Sequence, residues 1–440
     1  MFFRVPKSSE PPSEAGKEVR PSFGTAWLLV FWLILGFGLG PSPSGFAQTE
    51  QESSPVSDSG QKIFFIPAES GPKAKITLPA RPRQLAGRKC SVRLMAVGDI
   101  LMHTSLRQAA AVKEGGFDFS SYFRDVAALF ARADLVIGNL ETPLAGAGRG
   151  YGGYPQFNVP EELAANLKSV GFTTVTLTNN HALDRGWEGL AATIENVRAA
   201  GLDYVGAYTG PDDKAGRLVR VYNGVKIGFL AYSYGFNGPK GPPKEEDWRL
   251  GFIDNDVVME DMAAARIQGA DFVIVSLHFG NEYQRLPSPR QKKLVEKILQ
   301  GDPEKDLKGA DLVLGHHPHV VQPYILKQSP DQSQLAVYSL GNFISNQMRS
   351  YTNLGVILEC QLNVGPDGRQ SITDIRLRPT LCYTRIFEGR RIFRVIPLDA
   401  ATEKPEDFSF LDKESLKKIS RQKEEMDKHL AALLEMPEAR

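Results

Sequence analysis

From about residue 91 onward, short apolar runs rich in β-branched residues alternate with longer amphipathic stretches. The runs have the length of buried strands, and the stretches repeat their apolar residues at helical spacing. Strand and helix following one another in this order predict a parallel sheet with helices packed on its faces. The pattern predicts strands at 92–97, 135–137, 174–177, 272–277 and 312–314, and helices at 119–131, 161–170 and 187–200.

Two further patterns indicate antiparallel strands. Asn223-Gly224 stands between two strand-like runs, which is a strong signal for a β-hairpin. Residues 335–393 read as successive strands with a turn at 365–368. Together with the parallel pattern, these features predict an α/β fold in which a pair of mixed sheets is flanked by helices.

The N-terminal part of the chain differs from the rest in composition. Basic residues precede an apolar run at 26–39, which is short of the roughly 20 residues that a spanning helix needs. The run fits a secretory signal with cleavage after Ala47, and acidic residues before it leave a retained anchor open. We therefore expect residues 1–47 to be a signal peptide or an N-terminal anchor, and the Ser- and Pro-rich residues 48–88 to be a flexible linker. This predicts export to the periplasm or cell envelope, with the inner membrane as a partner if the anchor is retained.

The main domain is expected at residues 89–400, followed by a charged helical tail at 401–440. Apolar residues between Ser415 and Leu434 recur at near-helical spacing, so this helix either docks on the domain or is solvated. Three cysteines, Cys90, Cys360 and Cys382, allow at most one disulfide, and we expect Cys360 and Cys382 to pack in late strands. The chain carries 52 basic and 51 acidic residues, so no net charge favours nucleic acid as a partner.

Six of the seven histidines lie in or beside five short polar motifs, each of which follows or closes a predicted strand. Residues just past the carboxyl ends of the strands of an open α/β sheet converge on one crevice. The motifs therefore predict a single pocket that gathers imidazoles, carboxylates and amides. They occupy residues 97–103, 137–141, 177–186, 277–283 and 315–319.

Burying so many ionisable groups together is costly unless something pairs them. A divalent cation does so, and imidazole and carboxylate ligands suit Zn, Mn or Fe. Taken singly, the motifs have simpler explanations, since Asp99 suits a turn or a cap and His278 suits a buried, hydrogen-bonded histidine. His317-Pro318-His319 is a stronger metal signal, and Asn180-His181 with Asp184 offers an amide ligand, an acid and an orienting carboxylate together.

As an ordered set, these motifs resemble those of the bacterial capsule synthesis protein CapA family, whose members are linked to poly-γ-glutamate capsule. The resemblance runs from about residue 91 to about residue 345. It rests on Gly98-Asp99 with His103, on Gly138-Asn139-Leu140-Glu141, on Asn179-Asn180-His181 with Asp184 and Gly186, on His278 with Glu282 and Tyr283, on Gly315-His316-His317 with His319 and Gln322, and on Tyr338 to Phe343 around Asn342.

That family is similar to the calcineurin-like metallophosphatases, so the resemblance implies a four-layered α-β-β-α sandwich holding one or two divalent ions. It implies that Asp99, His103 and His319 hold one metal and that Asn180, His278 and His317 hold the second, with Glu141 bridging the two. It also implies that His181, oriented by Asp184, protonates the leaving group while water activated by the metal attacks. Asn139, Glu282, His316 and Asn342 would support these ligands or contact the substrate.

The chain departs from the metallophosphatase pattern in two places. Three residues separate Asp99 from His103 where the pattern has one, and the bridging position is Glu141 where the pattern has Asp. Either change would reduce two metals to one if it moved a ligand out of reach. Fold resemblance alone does not establish phosphatase activity.

Three hypotheses follow. The first is a metal-dependent hydrolase that acts outside the cytoplasm on a phosphoester or on a polymer linkage such as the γ-glutamyl amide. The second is a non-enzymatic envelope protein that assembles, tethers or exports an anionic capsule polymer together with other capsule-assembly proteins. Its candidate polymer contacts are Arg185, Arg285, Arg290, Lys292 and Lys293. The third is a structural domain whose polar cluster is satisfied by its own hydrogen bonds. A Gly-rich loop at 149–153 is expected near the pocket, where it either gates substrate or is an ordinary surface loop.

Overall fold

The computed structural model describes residues 89–238, 242–329, 333–387 and 389–434. The predicted signal or anchor segment 1–47 and the predicted linker 48–88 lie outside the described residues. Within the described part of the chain, no helix is both long enough and apolar enough to cross a membrane.

The described residues form sixteen strands, most of them short. In chain order they are β1 Cys90–Ile100, β2 Leu135–Leu140, β3 Thr174–Thr176, β4 Asp203–Val205, β5 Val219–Tyr222, β6 Val225–Ser233, β7 Phe272–His278, β8 Gly301–Asp302, β9 Leu307–Lys308, β10 Leu312–His316, β11 Tyr324–Gln328, β12 Ser333–Val337, β13 Asn342–Ile344, β14 Leu354–Val364, β15 Gln370–Phe387 and β16 Arg390–Pro397.

Nine α-helices accompany them in the same part of the chain. They are α1 Thr104–Ala109, α2 Ser120–Phe130, α3 Glu162–Ser169, α4 Gly186–Ala199, α5 Pro211–Arg217, α6 Asn255–Ile267, α7 Pro289–Gln300, α8 Leu398–Glu403 and α9 Lys413–Leu434. The strands and helices predicted from the apolar pattern between residues 92 and 314 are all present, with ends that differ from the predicted ones by a few residues.

The strands form two large mixed sheets and one small ribbon. The first sheet has the order β16-β15-β14-β1-β2-β3-β4, and β13 pairs with β1 off this path. Strands β1 to β4 are parallel, whereas β14, β15 and β16 are antiparallel to their neighbours. The second sheet has the order β11-β12-β10-β7-β6-β5, with parallel strands in the middle and antiparallel strands at both edges.

Alternate residues of β1 face two different cores, as expected for a strand that is covered on both sides. Leu94 packs into a core between the two sheets, together with residues such as Phe229 of β6. Met95 packs instead against α2, α3 and α4 on the outer face of the first sheet. A third core lies between the second sheet and helices α6 and α7, around Leu230. The four-layered α-β-β-α sandwich is therefore confirmed.

The antiparallel features were also predicted correctly. The β5–β6 hairpin turns at Asn223 and Gly224, which both have positive φ, 47° and 82°. Residues 365–369 connect β14 to β15 at the predicted turn, where Gly365 N donates to Arg369 O over 2.8 Å.

The C-terminal helix α9 packs against the domain. Ile419 and Met426 are buried in the core between the sheets, and His429 Nε2 lies 3.1 Å from Val321 O. All three cysteines are free thiols, and Cys360 and Cys382 pack in β14 and β15 as expected.

Candidate metal centre

The polar motifs converge because the parallel strands of both sheets end at the same side of the molecule. Asp99 lies near the end of β1, and Glu141 directly follows β2. His278 is the last residue of β7, and His317 and His319 follow β10. Gly98 lets β1 approach this region, since a Cβ there would lie 1.8 Å from Gly341 O. All five acidic and histidine side chains are at most 4% exposed.

Two overlapping groups of side chains are close enough to hold a metal ion. Asp99, Glu141 and His278 form one group, and Glu141, His317 and His319 form the other. Within each group, one ligand atom of each residue lies within 4.8 Å of those of the other two. Glu141 belongs to both groups, which is the position expected of a bridging carboxylate.

Asp99 is held by several hydrogen bonds. Asn139 Nδ2 donates to its Oδ1 over 2.8 Å, and the backbone N–H of His317 donates to its Oδ2 over 3.2 Å. His319 Nδ1 lies 3.1 Å from Oδ2, and His316 Nδ1 lies 3.4 Å from Oδ1. Burial disfavours the charged form, but the neighbouring imidazoles of His316 and His319 outweigh it and hold the pKa of Asp99 well below its usual range. The charged form of Asp99 is therefore favoured.

Glu141 is different, because among the described residues neither of its carboxyl oxygens has a hydrogen-bond partner. Its side chain is fully buried, and its Oε1 lies 3.5 Å from His278 Nε2 and 3.8 Å from His319 Nε2. Burial, and next the charge of Asp99, raise the pKa of Glu141 well above its usual range. A buried acid with two unpartnered oxygens fits a cation at this position. The hypothesis of a structural cluster that is satisfied by its own hydrogen bonds does not account for these two oxygens.

Burial favours the neutral form of two imidazoles of the cluster, which is the form that binds a metal. Burial lowers the pKa of His317 to about 3, and it lowers the pKa of His278 well below the usual value. His317 Nδ1 has no hydrogen-bond partner among the described residues. His317 and His319 both have positive φ, 92° and 58°, which turns the backbone so that both rings reach the same carboxylate.

Asparagine side chains surround these groups. Asn180 Oδ1 lies 2.9 Å from His278 Nε2, as expected of two neighbouring ligands of one ion. Asn139 Nδ2 lies 3.2 Å from His278 Nδ1, and Asn342 Oδ1 lies 3.0 Å from His319 Nδ1. Asn139 and Asn342 thus orient the rings of the two histidines.

His181 and Asp184 form a separate pair at the edge of the cluster. His181 Nδ1 lies 2.8 Å from Asp184 Oδ2, which also accepts a hydrogen bond from Phe157 N over 2.7 Å. The edge-on ring of Phe157 lies 4.7 Å from the His181 ring, centroid to centroid. This arrangement fixes the ring through Nδ1 and leaves Nε2 without a bond to another described residue.

Not every predicted site residue joins the cluster. His103 lies outside both groups of ligand atoms: its Nδ1 is 3.3 Å from Leu101 O and accepts from Asn346 N over 3.3 Å. Burial lowers the pKa of His103 to about 4. Glu282 is exposed and, within the described part of the chain, forms no hydrogen bond or ion pair with the ligands, although its charge contributes to the raised pKa of Glu141.

The five basic residues predicted to contact a polymer form local contacts or are exposed on α7, and the Gly-rich loop is held by hydrogen bonds. Arg185 Nη2 donates to Gln156 O over 3.0 Å, and the guanidinium of Arg285 lies over the ring of Tyr351. Arg290, Lys292 and Lys293 are exposed on α7. The loop at 149–153 is tied to Asn158, whose backbone exchanges hydrogen bonds with Gly152 and whose Nδ2 donates to Gly150 O.

Two aromatic residues near the site were not predicted from the sequence. Phe157 touches both His103 and His181, and Tyr234 lies against His317 with ring centroids 4.7 Å apart. Tyr234 follows β6 just as the motifs follow their strands, so the same positional rule, extended to aromatic residues, predicts it. Asn179 of the third motif donates through Nδ2 to Leu140 O over 2.9 Å.

Comparison with known proteins gives a consistent result over most of the domain. The capsule biosynthesis protein CapA of Bacillus anthracis is 31% identical over 287 residues, which are 63% of this chain and 65% of that protein. The PGA biosynthesis protein CapA of Bacillus subtilis is 31% identical over 291 residues, 63% of this chain and 70% of that protein. The chain thus spans just under two thirds of the length of the first relative.

Among solved structures, the NAD nucleotidase of Haemophilus influenzae matches 78% of this chain and 61% of its own, with a TM-score of 0.38 and 13% identity. The profile of a bacterial capsule synthesis family, PGA_cap, matches residues 93–347, which contain every residue of the cluster. The chain therefore belongs to the bacterial capsule synthesis protein PGA_cap family.

Proposed function

We propose that this chain is an exported metal-dependent hydrolase that acts on a phosphoester or on a linkage of an anionic capsule polymer. The observation that carries the proposal is the buried carboxyl group of Glu141, which has two unpartnered oxygens among imidazoles beside the His181–Asp184 pair. The names of the relatives, capsule and PGA biosynthesis proteins, support a capsule polymer as the substrate class.

One or two divalent ions, Mn, Zn or Fe, suit these ligands. Asp99, Glu141, His278 and Asn180 would hold one ion, and Glu141, His317 and His319 would hold a second. His103 is not part of this proposed ligand set, because it lies outside both ligand groups. Such an ion, when bound, polarises the reacting bond and makes water acidic enough to act as a nucleophile near neutral pH.

The proposed role of His181 is to hold a proton at Nε2 and donate it to the leaving group. Asp184 bonds Nδ1, which sets the tautomer and orientation of the ring. Phe157 packs edge-on against the ring and orients Asp184 through its backbone N–H. His181 is 6% exposed, so a substrate reaches it only through the mouth of the site.

A second candidate function is non-catalytic assembly, tethering or export of the capsule polymer at the cell envelope. It is favoured by the names of the relatives, which describe biosynthesis, and by the apolar run at 26–39 that predicts a signal or an anchor. In this case the metal would bind polymer carboxylates, and His181 would have no catalytic role.

The first experiment is elemental analysis of the full chain purified without chelator, beside an H317A/H319A double variant and the matched variant His429→Asn. We expect near-stoichiometric Mn, Zn or Fe in the wild type and in His429→Asn, and loss of the metal in the double variant. Absence of metal from the wild type, even after reconstitution, would contradict the hydrolase proposal.

The second experiment separates the two candidate functions with His181→Asn. General acid catalysis contributes roughly 10²- to 10⁴-fold, so we expect a loss of that order in hydrolysis of phosphoester or poly-γ-glutamate substrates while the metal content stays unchanged. A metal-loaded wild type that hydrolyses neither substrate class would favour the assembly function instead.

A further inference from the structure

A second cleft lies on the outer face of the first sheet, far from the metal centre. It has a volume of about 300 Å³ and is lined by Arg93, Arg132, Glu359, Gln361, Asp374, Arg376 and Arg378. Four arginines therefore face two carboxylates in a chain whose basic and acidic residues are otherwise nearly balanced. We call this group the arginine cleft.

The sheet register explains why these side chains share one face. Arg93 lies two residues before Met95, which packs on the helix-covered side of the sheet, so both point outward. Arg93 pairs with Gln361 and Met95 pairs with Glu359, which places both β14 residues on the same outer face. The helices do not cover this part of the face, and Arg132, just after α2, borders it.

A β-bulge in β15 brings the remaining arginines to this face. Glu359 pairs with Arg376 but Gln361 pairs with Thr373, so β15 has one residue more than β14 between the two pairs. Asp374, at the bulge, has a φ of 53°. Ile372 and Leu377 both pack between the sheets although they are five residues apart, which regular alternation forbids. The bulge thus reverses the phase of β15 and turns Arg376 and Arg378 outward instead of into the core.

Most of the positive charge in the cleft is unpaired within the molecule. Arg378 binds the carboxylate of Glu359 through Nε at 2.7 Å and Nη2 at 2.6 Å. Within the described residues, the guanidinium groups of Arg93, Arg132 and Arg376 make no ion pair. Unpaired guanidinium groups held together attract anions, and their planar fork matches a carboxylate.

The cleft opens into a longer groove that favours an extended ligand over a single ion. This groove, of about 800 Å³, shares Arg93, Gln361 and Asp374 with the cleft and adds Lys89 and Arg369. From Arg93 to Asp99 is six residues of β1, or roughly 20 Å in an extended strand. The groove therefore lies at the opposite end of the strand from the metal centre.

We propose that the arginine cleft is a second, non-catalytic binding site that holds one stretch of an acidic polymer through its carboxylates. The Glu359–Arg378 pair already displays the contact that such a carboxylate makes with the neighbouring arginines. The inference goes beyond the proposed function, because binding here needs neither the metal nor His181.

The test is the anisotropy of a fluorescently labelled poly-glutamate chain with the full-length protein. The cleft variant is R132Q/R376Q, which removes two exposed arginines without breaking an ion pair of the described residues. The matched control is R390Q/R391Q, which removes the same charge from exposed residues of β16. We expect R132Q/R376Q to bind roughly 10-fold more weakly, and R390Q/R391Q and H317A/H319A to bind like the wild type.

Several outcomes would overturn the proposal. Equal losses in R132Q/R376Q and R390Q/R391Q would mean that net charge alone attracts the polymer. Loss only in H317A/H319A would place the polymer at the metal centre. Stronger competition by polyphosphate than by unlabelled poly-glutamate would show that the cleft selects phosphate over carboxylate. No binding by the wild type would remove the site altogether, while leaving the metal analysis of the hydrolase proposal unaffected.

Discussion

The molecule contains two buried clusters of ionisable groups that differ in how their charges are compensated. Where α6 meets the second sheet, Arg266 donates to Asp311 Oδ2 at 2.7 Å, to Asp271 O at 3.0 Å and to Gly309 O at 2.9 Å. Lys308 Nζ lies 2.8 Å from the other oxygen of Asp311. In the metal centre, by contrast, two acids lie among imidazoles, and Glu141 has no hydrogen-bond partner among the described residues.

The difference separates a structural cluster from one adapted to a ligand. Arg266 and Asp311 have opposite charges, so they compensate each other inside the fold. Asp99 and Glu141 are both acids, so neither compensates the other, and the charge of Asp99 helps to raise the pKa of Glu141. Arg266 Nε and Asp311 Oδ1 also lack a hydrogen-bond partner among the described residues, so the clusters differ in the balance of their charges and not in full hydrogen bonding. We call the charge-compensated cluster complete and the other incomplete, and an incomplete one is where a cation is expected.

The largest effect on stability is expected from breaking the complete cluster. Arg266→Met would leave Asp311 buried with only Lys308 as a cationic partner, and losing one member of a buried pair costs about 3–5 kcal/mol. We expect the free energy of unfolding, measured by urea denaturation, to fall by this amount. The metal content per folded molecule should stay at the wild-type value, and its loss would show that the two clusters are not independent.

A smaller effect is expected from the incomplete cluster, and it should depend on metal. Metal at 100 times its Kd would raise the free energy of unfolding of the wild type by about 2.7 kcal/mol. In Glu141→Gln this increment should be largely lost, because the carboxylate shared by both ligand groups is gone. Urea denaturation with and without chelator measures both values.

The metal-free proteins provide the control for this prediction. Gln has the shape of a protonated Glu and places no charge beside Asp99, so without metal the variant should unfold within about 1 kcal/mol of the wild type. If Glu141→Gln were instead as damaging as Arg266→Met in the absence of metal, the carboxylate of Glu141 would have a structural role and the comparison would fail.

Sequence predicted the incomplete cluster but not the complete one, and the reason is positional. Asp99, Glu141, His278 and His317 each lie at the carboxyl end of a parallel strand, and the order of strands along the chain places these ends together. Arg266 lies near the end of α6, and Asp311 directly precedes β10. The two residues are 45 positions apart in the chain, and no local sequence pattern joins them. Pairing of this kind depends on tertiary packing.

The same limit explains the details that sequence did not provide. The strand-end rule places a motif but does not give the direction of each side chain. The ring of His103 lies against Phe157 and outside both ligand groups, so its role as a ligand stays a prediction from the sequence. The bulge at Asp374 is equally hidden, because Asp is not the residue that positive φ usually selects. Only the register of β14 and β15 shows that Arg376 faces outward.

The smallest effect is expected at His429, which is a half-buried histidine outside both clusters with a hydrogen-bond partner of its own. Its Nε2 lies 3.1 Å from Val321 O and joins α9 to the segment just after His319. A bond of this kind contributes about 1 kcal/mol, so His429→Ala should lower the free energy of unfolding by that amount at neutral pH.

The contribution of His429 should also depend on pH. Burial is the largest influence on the pKa of His429 and lowers it, and the charge of Arg285 lowers it further. The hydrogen bond to Val321 O and the charge of Glu425 raise the pKa, but the net shift is downward. The unfolded chain therefore binds a proton more readily than the folded one, and stability falls as pH decreases below the ordinary histidine pKa of about 6.5. Burial also lowers the pKa of His103, His278 and His317, so the quantity to measure is the difference between wild type and His429→Ala. This difference should shrink from pH 7.5 to pH 5.5. A constant difference would mean that His429 stabilises α9 by packing alone, and a growing one would mean that its charged form is the stabilising one.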